Sequence, residues 1–346
     1  MKTFHALVTI CIGLMLAPLA NAQKYHAFIW NSVIGLTDLG TLGGDRSYAL
    51  GINDSGQVVG YSDVAGNTTR HAFTWTASGG MVDLGTLPGG SWTQGEKINA
   101  SGEISGEGIN ANNRQVPAFW SASTGWVAFG ETPETSGSYG YSINDAGVVT
   151  GQLYEGSPQV VHAFYWRLGG GALRFTPPLS SELHMAGYDI NNRNFIVGNA
   201  LMPNGRWEAF VWSKAGFSQV GDTVGIGFFP GAASTVAHAI NDNNEVAGLA
   251  YLDVVVGAPT SAFYWKKGTG IVPMQTLGGI IGAGLDINLA GAIVGWSSNA
   301  SEQTHAALWS NYTSVPQDLG VLPGGTISYA YAINSSGQIV GFSDVP

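Results

Sequence analysis

Ser47 to Ser62 reads SYALGINDSGQVVGYS, and its skeleton of an Ile-Asn pair, a glycine three residues after the Asn and another glycine four residues later recurs along the chain. The Ile-Asn pairs are Ile52/Asn53, Ile98/Asn99, Ile143/Asn144, Ile190/Asn191, Ile240/Asn241, Ile287/Asn288 and Ile333/Asn334. A spacing of about forty-six residues belongs to propellers and repeat arrays. Period-two alternation and turn residues divide the quoted copy into strands at Ser47 to Asn53, Gln57 to Asp63, Arg70 to Thr76 and Gly80 to Thr86.

Two columns of the repeat carry backbone information. Three residues after each Asn stand Gly56, Gly102, Gly147, Asn194, Asn244, Gly291 and Gly337, only glycine or asparagine, as a hairpin turn closed by a left-handed residue requires. The Asn itself reads as a turn former that bonds the backbone two residues on. The second glycine, Gly60, Gly106, Gly151, Gly198, Gly248, Gly295 or Gly341, interrupts the second strand and so needs a steric reason. The expected one is an aromatic ring of the third strand laid over it, from the motif Phe28/Trp30, Phe73/Trp75, Phe119/Trp120, Phe164/Trp166, Phe210/Trp212, Phe263/Trp265 and Trp309. Those tryptophans read as core before they read as ligand platforms.

The chain begins with a third and a fourth strand, His26 to Trp30 and Leu36 to Gly40, and stops after a first and a second, Ser328 to Asn334 and Gln338 to Asp344. The ends are complementary halves of one sheet. The predicted fold is all-β, a seven-bladed β-propeller of four-stranded antiparallel blades, closed by pairing the N-terminal strands with the C-terminal ones so that no edge is left open.

Bulk properties agree. Met1 and Lys2, an apolar run from Ala6 to Ala17, Pro18 and the small residues Ala20-Asn21-Ala22 read as a signal peptide, residues 1–22, leaving one domain over residues 23–346. The protein is therefore expected to be secreted, extracellular or periplasmic. No segment approaches the roughly 20 apolar residues of a membrane-spanning helix, so no membrane insertion is expected. The one cysteine, Cys11, lies in the signal, so the mature chain relies on packing without disulfides. Without Lys2 there remain 12 basic residues against 23 acidic, which argues against nucleic acid as a partner.

The strings HAFIW, DLGTLGG and INDSGQVVGYS resemble the HAF-repeat family of extracellular bacterial proteins. The resemblance covers the chain after the signal and is sharpest at His26, His71, His162 and His305 and at Asp38 to Gly44, Asp83 to Gly90 and Asp318 to Gly325; Pro117, Glu208 and Ser261 replace the histidine elsewhere. It implies secretion and a repeat fold, and no activity.

Chemistry has to come from residues that break the repeat. Three residues before each Asn the column runs Leu50, Glu96, Tyr141, Tyr188, His238, Leu285, Tyr331, with Lys97, Asp189 and Asp286 beside it. A propeller projects such a column inward as a ring, so these groups either converge on a ligand or fill the channel and bond each other. At the face where the first strands begin, the off-pattern residues are Arg46, Trp92, Glu131, Glu182, His184, Trp207 and the loop GIGFFPG over 225–231, whose Phe228 and Phe229 look exposed. Aromatics beside polar groups fit sugar stacking; a hydrophobic plug over the channel is the other reading of that loop. No close pair of metal-ligand spacing, phosphate loop or dinucleotide fingerprint occurs, so no metal or cofactor is expected.

The favoured reading is a secreted binding module for a glycan or another cell-surface polymer, with Arg46, Trp92, Glu96, Trp207, Phe228 and Phe229 as ligand-binding residues. One rival is a polysaccharide lyase using His184 or His238 with Tyr188 or Tyr141 and Arg46. A purely structural envelope protein is the other.

Overall fold

A computed structural model describes residues 24–130, 135–156, 159–171, 173–174, 184–213, 222–253 and 258–346. The expected signal, Glu131 and Glu182 lie outside them. The described residues form strands and turns without a helix, and none of the structure is a helix long and apolar enough to cross a membrane.

Strands β1 (Lys24–Asn31) and β2 (Gly35–Asp38) open the chain. Sheet one follows, with β3 (Gly43–Ile52), β4 (Val58–Val64), β5 (Arg70–Thr76) and β6 (Gly80–Asp83), and sheet two, with β7 (Thr93–Ile98), β8 (Ile104–Ile109), β9 (Gln115–Ser121) and β10 (Gly125–Ala128). Sheet three holds β11 (Thr135–Ile143), β12 (Val149–Glu155), β13 (Val160–Trp166) and β14 (Leu173–Arg174). Sheet four holds β15 (Met185–Ile190), β16 (Phe195–Leu201), β17 (Trp207–Ser213) and β18 (Asp222–Gly225). Sheet five holds β19 (Ser234–Ile240), β20 (Glu245–Tyr251), β21 (Thr260–Lys266) and β22 (Gly270–Pro273). Sheet six holds β23 (Gly278–Ile287), β24 (Ile293–Asn299), β25 (Thr304–Trp309) and β26 (Gln317–Asp318). Finally β27 (Ser328–Ile333) and β28 (Ile339–Val345) pair with each other, and β28 pairs antiparallel with β1 from Lys24↔Val345 to Trp30↔Ile339. The two ends of the chain thus pair side by side as β27-β28-β1-β2, and a single parallel pair, Tyr25↔Arg46, joins β1 to β3, so these strands and sheet one run on as one eight-stranded sheet.

The turn after each first strand explains the Ile-Asn pair more fully than a turn former does. Asn99 shows the pattern: its Oδ1 accepts from the N–H groups of Ser101 (3.0 Å) and Glu103 (2.9 Å), which fixes the turn. Its Nδ2 is left pointing outward and donates to the carbonyl of Asn144 in the next sheet (3.1 Å). Asn53 donates in the same way to Asn99, Asn144 to Asn191, Asn191 to Asn241, Asn241 to Asn288 and Asn288 to Asn334. Asn334 then donates to the carbonyl of Asn53 (3.1 Å), so the bonds run in a closed cycle. The residue three beyond the Asn has φ between 57° at Asn244 and 81° at Gly291, the left-handed region the column of glycines and asparagines requires.

The strand glycines have a different reason from the one expected. Opposite each of them the first strand carries a β-bulge, as between Ala49 and Gly51, which pair with Gly60 and Val59. A Cβ on Gly60 would lie on the carbonyl oxygen of Tyr48, and the same carbonyl two residues before the bulged residue blocks Gly106, Gly151, Gly198, Gly248, Gly295 and Gly341. Aromatic rings do face some of these glycines, as Phe73 pairs with Gly60, but the backbone of the bulge is the tighter limit. The bulge has a further effect. The residue skipped by the ladder is in turn Leu50, Glu96, Tyr141, Tyr188, His238, Leu285 and Tyr331. An unpaired bulge residue is free to aim its side chain off the sheet, which is why the most variable column is also the inward one.

Apolar clusters lie between consecutive sheets, such as Val59, Ala72, Ile98 and Val116 between sheets one and two. Another, with Ala27, Ile29, Ala49, Phe73 and Val340, joins the paired terminal strands to sheet one. Trp30, Trp166, Trp212, Trp265 and Trp309 are buried in this layer, and Trp75 and Trp120 pack at its margin. Hydroxyls at the start of first strands staple neighbours: Ser47 Oγ accepts from Ala27 N (2.8 Å) and donates to the Gly40 carbonyl (2.6 Å). The histidine of the His-Ala strings and the aspartate of the Asp-Leu-Gly strings serve the same end. His26 Nδ1 lies 2.7 Å from Asp38, His71 2.9 Å from Asp83 and His305 2.8 Å from Asp318. Where Glu208 replaces the histidine, its carboxylate accepts from Gly227 N instead (3.1 Å).

Candidate binding site around the central cavity

The bulged residues surround one cavity of about 70 Å³, lined by Leu50, Glu96, Lys97, Tyr141, Tyr188, His238, Leu285 and Tyr331. That is the column singled out in the sequence, together with Lys97. Ligand pockets for sugars and drug-sized molecules run to roughly 300–1,000 Å³, whereas a water needs about 10–15 Å³, so this space suits a few waters. Tyr141, Tyr188 and His238 form a chain of rings along one wall, continued behind it by Tyr139, with centroids 5.6 Å apart from Tyr139 to Tyr141, 5.3 Å from Tyr141 to Tyr188 and 5.7 Å from Tyr188 to His238.

The cavity is also a site of compressed electrostatics. Burial pushes the Glu96 carboxyl up to about 7, against the hydrogen bond from Gln94 and the positive charges of Arg70 and Lys97. Burial and then Glu96 raise Glu107 well above the carboxylate range, and its Oε2 has no partner. Burial alone lowers His238 to about 4, so the ring is neutral, and its Nε2 is buried without a partner. Burial opposes the charge of Lys97, but Asp286, 3.2 Å from its ammonium, and Asp189 outweigh it and raise its pKa. Each of those aspartates also fastens two sheets. Asp189 accepts from Ser142 (2.5 Å) and from Ile240 N (2.8 Å), and Asp286 accepts from Ile333 N (2.9 Å).

The other predicted residues stand elsewhere. Arg46, Trp92 and His184 occupy equivalent positions at the start of different first strands, on the rim of the same end, and none lines the cavity. His184 bridges to Val161 of sheet three and its ring lies 6.5 Å from Trp207. Phe228 and Phe229 are partly exposed, as Trp92 is, and do not line the cavity. Both are partly buried against the core between sheets four and five, and the Arg206 guanidinium sits 3.8 Å over the Phe228 ring while bonding the carbonyls of Ala232 and Ala233.

One residue was missed. Arg70 holds its guanidinium 4.2 Å over the Trp92 ring and 5.0 Å from the Tyr61 ring, bringing sheet one against sheet two at the rim. Its positive charge lowers the pKa values of Tyr61, Asp63, Glu96, Glu107 and Tyr139, so it is the cation shared by the rim and the Glu96 side of the cavity, although it does not line the cavity itself. The signal was available: in the column before the family histidine, Tyr25, Arg70, Val116, Val161, Trp207, Thr260 and Thr304, Arg70 is the one cation. Among the described residues no cluster of three His, Cys, Asp or Glu side chains could hold a metal ion.

No protein-family profile matches the chain, and no curated protein sequence does. Among solved structures, a TolB-type protein from Agrobacterium tumefaciens superposes with a TM-score of 0.55, at 10% identity, over 94% of this chain and 100% of its own. TolB from Acinetobacter baumannii gives 0.47 at 9% identity over 84% of this chain and 64% of its own. The Aleuria aurantia lectin in complex with Fucα1-6GlcNAc gives 0.39 at 10% identity over 82% of this chain and 100% of its own. At such identities the first of these speaks to fold alone, and the chain is an all-β protein of propeller type.

Proposed function

We propose that the chain is a closed, seven-bladed β-propeller of the HAF-repeat type, a single domain over residues 23–346 exported after loss of residues 1–22, and that it binds a glycan or another cell-surface polymer. The asparagine cycle returning from Asn334 to Asn53 and the pairing of β1 with β28 support the ring. One observation carries the binding reading. The cavity has room for waters only, while Trp92 and Arg70 on the rim are partly exposed and present aromatic and cationic surface to solvent. A flat polymer can lie across such a rim where it cannot enter the channel. A glycan array and pull-down on insoluble polysaccharides test this: affinity that falls about 2- to 13-fold in Trp92→Ala is expected, since an aromatic stacking contact contributes about 0.5–1.5 kcal/mol. Folded protein retained by none of these polymers sinks the reading.

The lyase remains the second reading because Tyr141, Tyr188 and the neutral His238 do come together, with Nε2 buried and without a hydrogen-bond partner. Against it, His184 and Arg46 stand outside the cavity. Appearance of unsaturated uronate absorbance with acidic polysaccharides distinguishes it from binding alone.

A further inference from the structure

We infer that the rim between sheets one and two is an anion subsite, in which Arg70 and Arg46 receive the carboxylate or sulfate of an acidic sugar; this rests on the glycan-binding reading above. Asp63 pairs in register with Arg70, and Ser47 with Ser62, so Arg46, Asp63 and Arg70 lie at the same end of three adjacent strands. Among the described residues neither guanidinium has a hydrogen-bonded or ion-paired acceptor, and Asp63, although flanked by both, lies beyond ion-pair distance of each. Burial lifts the Asp63 carboxyl more than the two arginines lower it, which agrees with the absence of a tight pair.

A surface arginine without an acceptor usually waves in solvent and loses side-chain entropy on binding. Arg70 does not, because the rings of Trp92 and Tyr61 hold its plane. The planar fork is therefore set before the ligand arrives, and a fixed fork matches a carboxylate or sulfate through two parallel N–H bonds. The nearby carboxyls oppose an anion less than their number suggests. Burial raises Glu107 well above the carboxylate range and pushes Glu96 up to about 7, and burial also raises Asp63, so all three carboxyls give up charge more readily than free ones. The net charge of −10 still repels anions at long range, so binding should be short-ranged and slow to form at low salt rather than steered.

The test compares oligogalacturonate, its methyl ester, sulfated dextran and a neutral glucan by titration calorimetry against the full chain and the variants Arg70→Gln, Arg70→Lys and Arg46→Gln. Charge-assisted bonds of this kind are worth about 10- to 100-fold in affinity. The expected result is binding of oligogalacturonate or sulfated dextran that weakens by that factor in Arg70→Gln. Arg70→Lys should recover only part, because it keeps the charge and loses the fork. Which of the two anionic polymers binds identifies the source of the anion. The methyl ester binding as well as the acid, or Arg70→Gln and Arg46→Gln both binding unchanged, overturns the anion subsite while leaving the glycan reading intact. Binding to none of the four polymers, or to any other glycan on the array, overturns both. Near-ultraviolet circular dichroism of each variant reports whether the fold survived, and Arg46→Gln serves if Arg70→Gln does not fold.

Discussion

Replacing Gly60 by alanine should nearly abolish folding, and the neighbouring Gly56 provides the control. At Gly60 the added Cβ would overlap the Tyr48 carbonyl oxygen and stand 2.9 Å from its carbon and 3.0 Å from the Ala49 Cα. All three obstacles are backbone of the bulged strand β3, so no side chain can rotate away. The strands β3 and β4 would have to part at the residue that aims Leu50 inward, with loss of ladder bonds on both sides. Ordinary overpacking costs about 1–3 kcal/mol; a clash against fixed backbone that also breaks strand pairing belongs above about 4 kcal/mol. Gly56 has φ of +78° and only the Gln338 Oε1 within reach, at 3.4 Å. Alanine there meets left-handed strain of about 1–2 kcal/mol. Urea unfolding followed by tryptophan fluorescence, with calorimetry for the midpoint, should show Gly56→Ala lowering Tm by about 2–8 °C and Gly60→Ala expressed as unfolded or losing several times that. Equal, mild effects for the two variants would refute the bulge as the reason for the second glycine.

Other outcomes follow from the cavity and the ring. The Glu96 pKa is raised in the fold, so its favourable contribution is full below the unfolded value near 4.5 and is lost as pH rises through about 7. Glu96→Gln should therefore flatten the fall in stability between pH 5 and 8 and gain roughly 1–3 kcal/mol at pH 8, as measured by urea unfolding across pH. His238 moves the other way: its pKa of about 4 lies below the unfolded 6.5, so stability is lost as pH falls from 6.5 towards 4, and His238→Phe should remove that acid limb. Lys97→Ala leaves Asp286 and Asp189 buried without their cation and should cost about 3–5 kcal/mol, much of it recovered when Asp286→Ala is added. Asn334→Ala removes the bond to the Asn53 carbonyl and those fixing its own turn, for about 2–4 kcal/mol of stability by chemical unfolding; a change under 0.5 kcal/mol would make the cycle incidental.

The sequence announces the fold because its strongest signals are backbone signals. A turn that needs positive φ admits glycine or asparagine alone, and a carbonyl pressed on a strand admits glycine alone, so those columns stay readable in every copy. The strand ends moved by a few residues, as β3 begins at Gly43 rather than Ser47, since only pairing partners fix them. The inward column was legible for the complementary reason: nothing in the ladder constrains a bulged residue, so Leu50, Glu96, Tyr141, Tyr188, His238, Leu285 and Tyr331 differ. What the column encloses was not legible, because cavity size depends on how far these side chains reach into the space between them. Phe228 and Phe229 looked fully exposed since nothing local tells that Arg206 folds over Phe228 or that both pack against the core between sheets four and five. Arg70 was passed over because it adjoins a family histidine, and the contacts that orient it come from Tyr61 and Trp92, which flank it at a distance in the chain.

The most direct test of where this protein meets its ligand is a crystal structure of the full chain soaked with an oligogalacturonate or, if that is the polymer that binds, a sulfated oligosaccharide. The account predicts the anionic group within hydrogen-bond distance of the Arg70 guanidinium, the sugar lying across the Trp92 rim, and nothing larger than water among Glu96, Tyr141, Tyr188 and His238. A sugar ring seated in the central cavity against His238, with the rim empty, would contradict it.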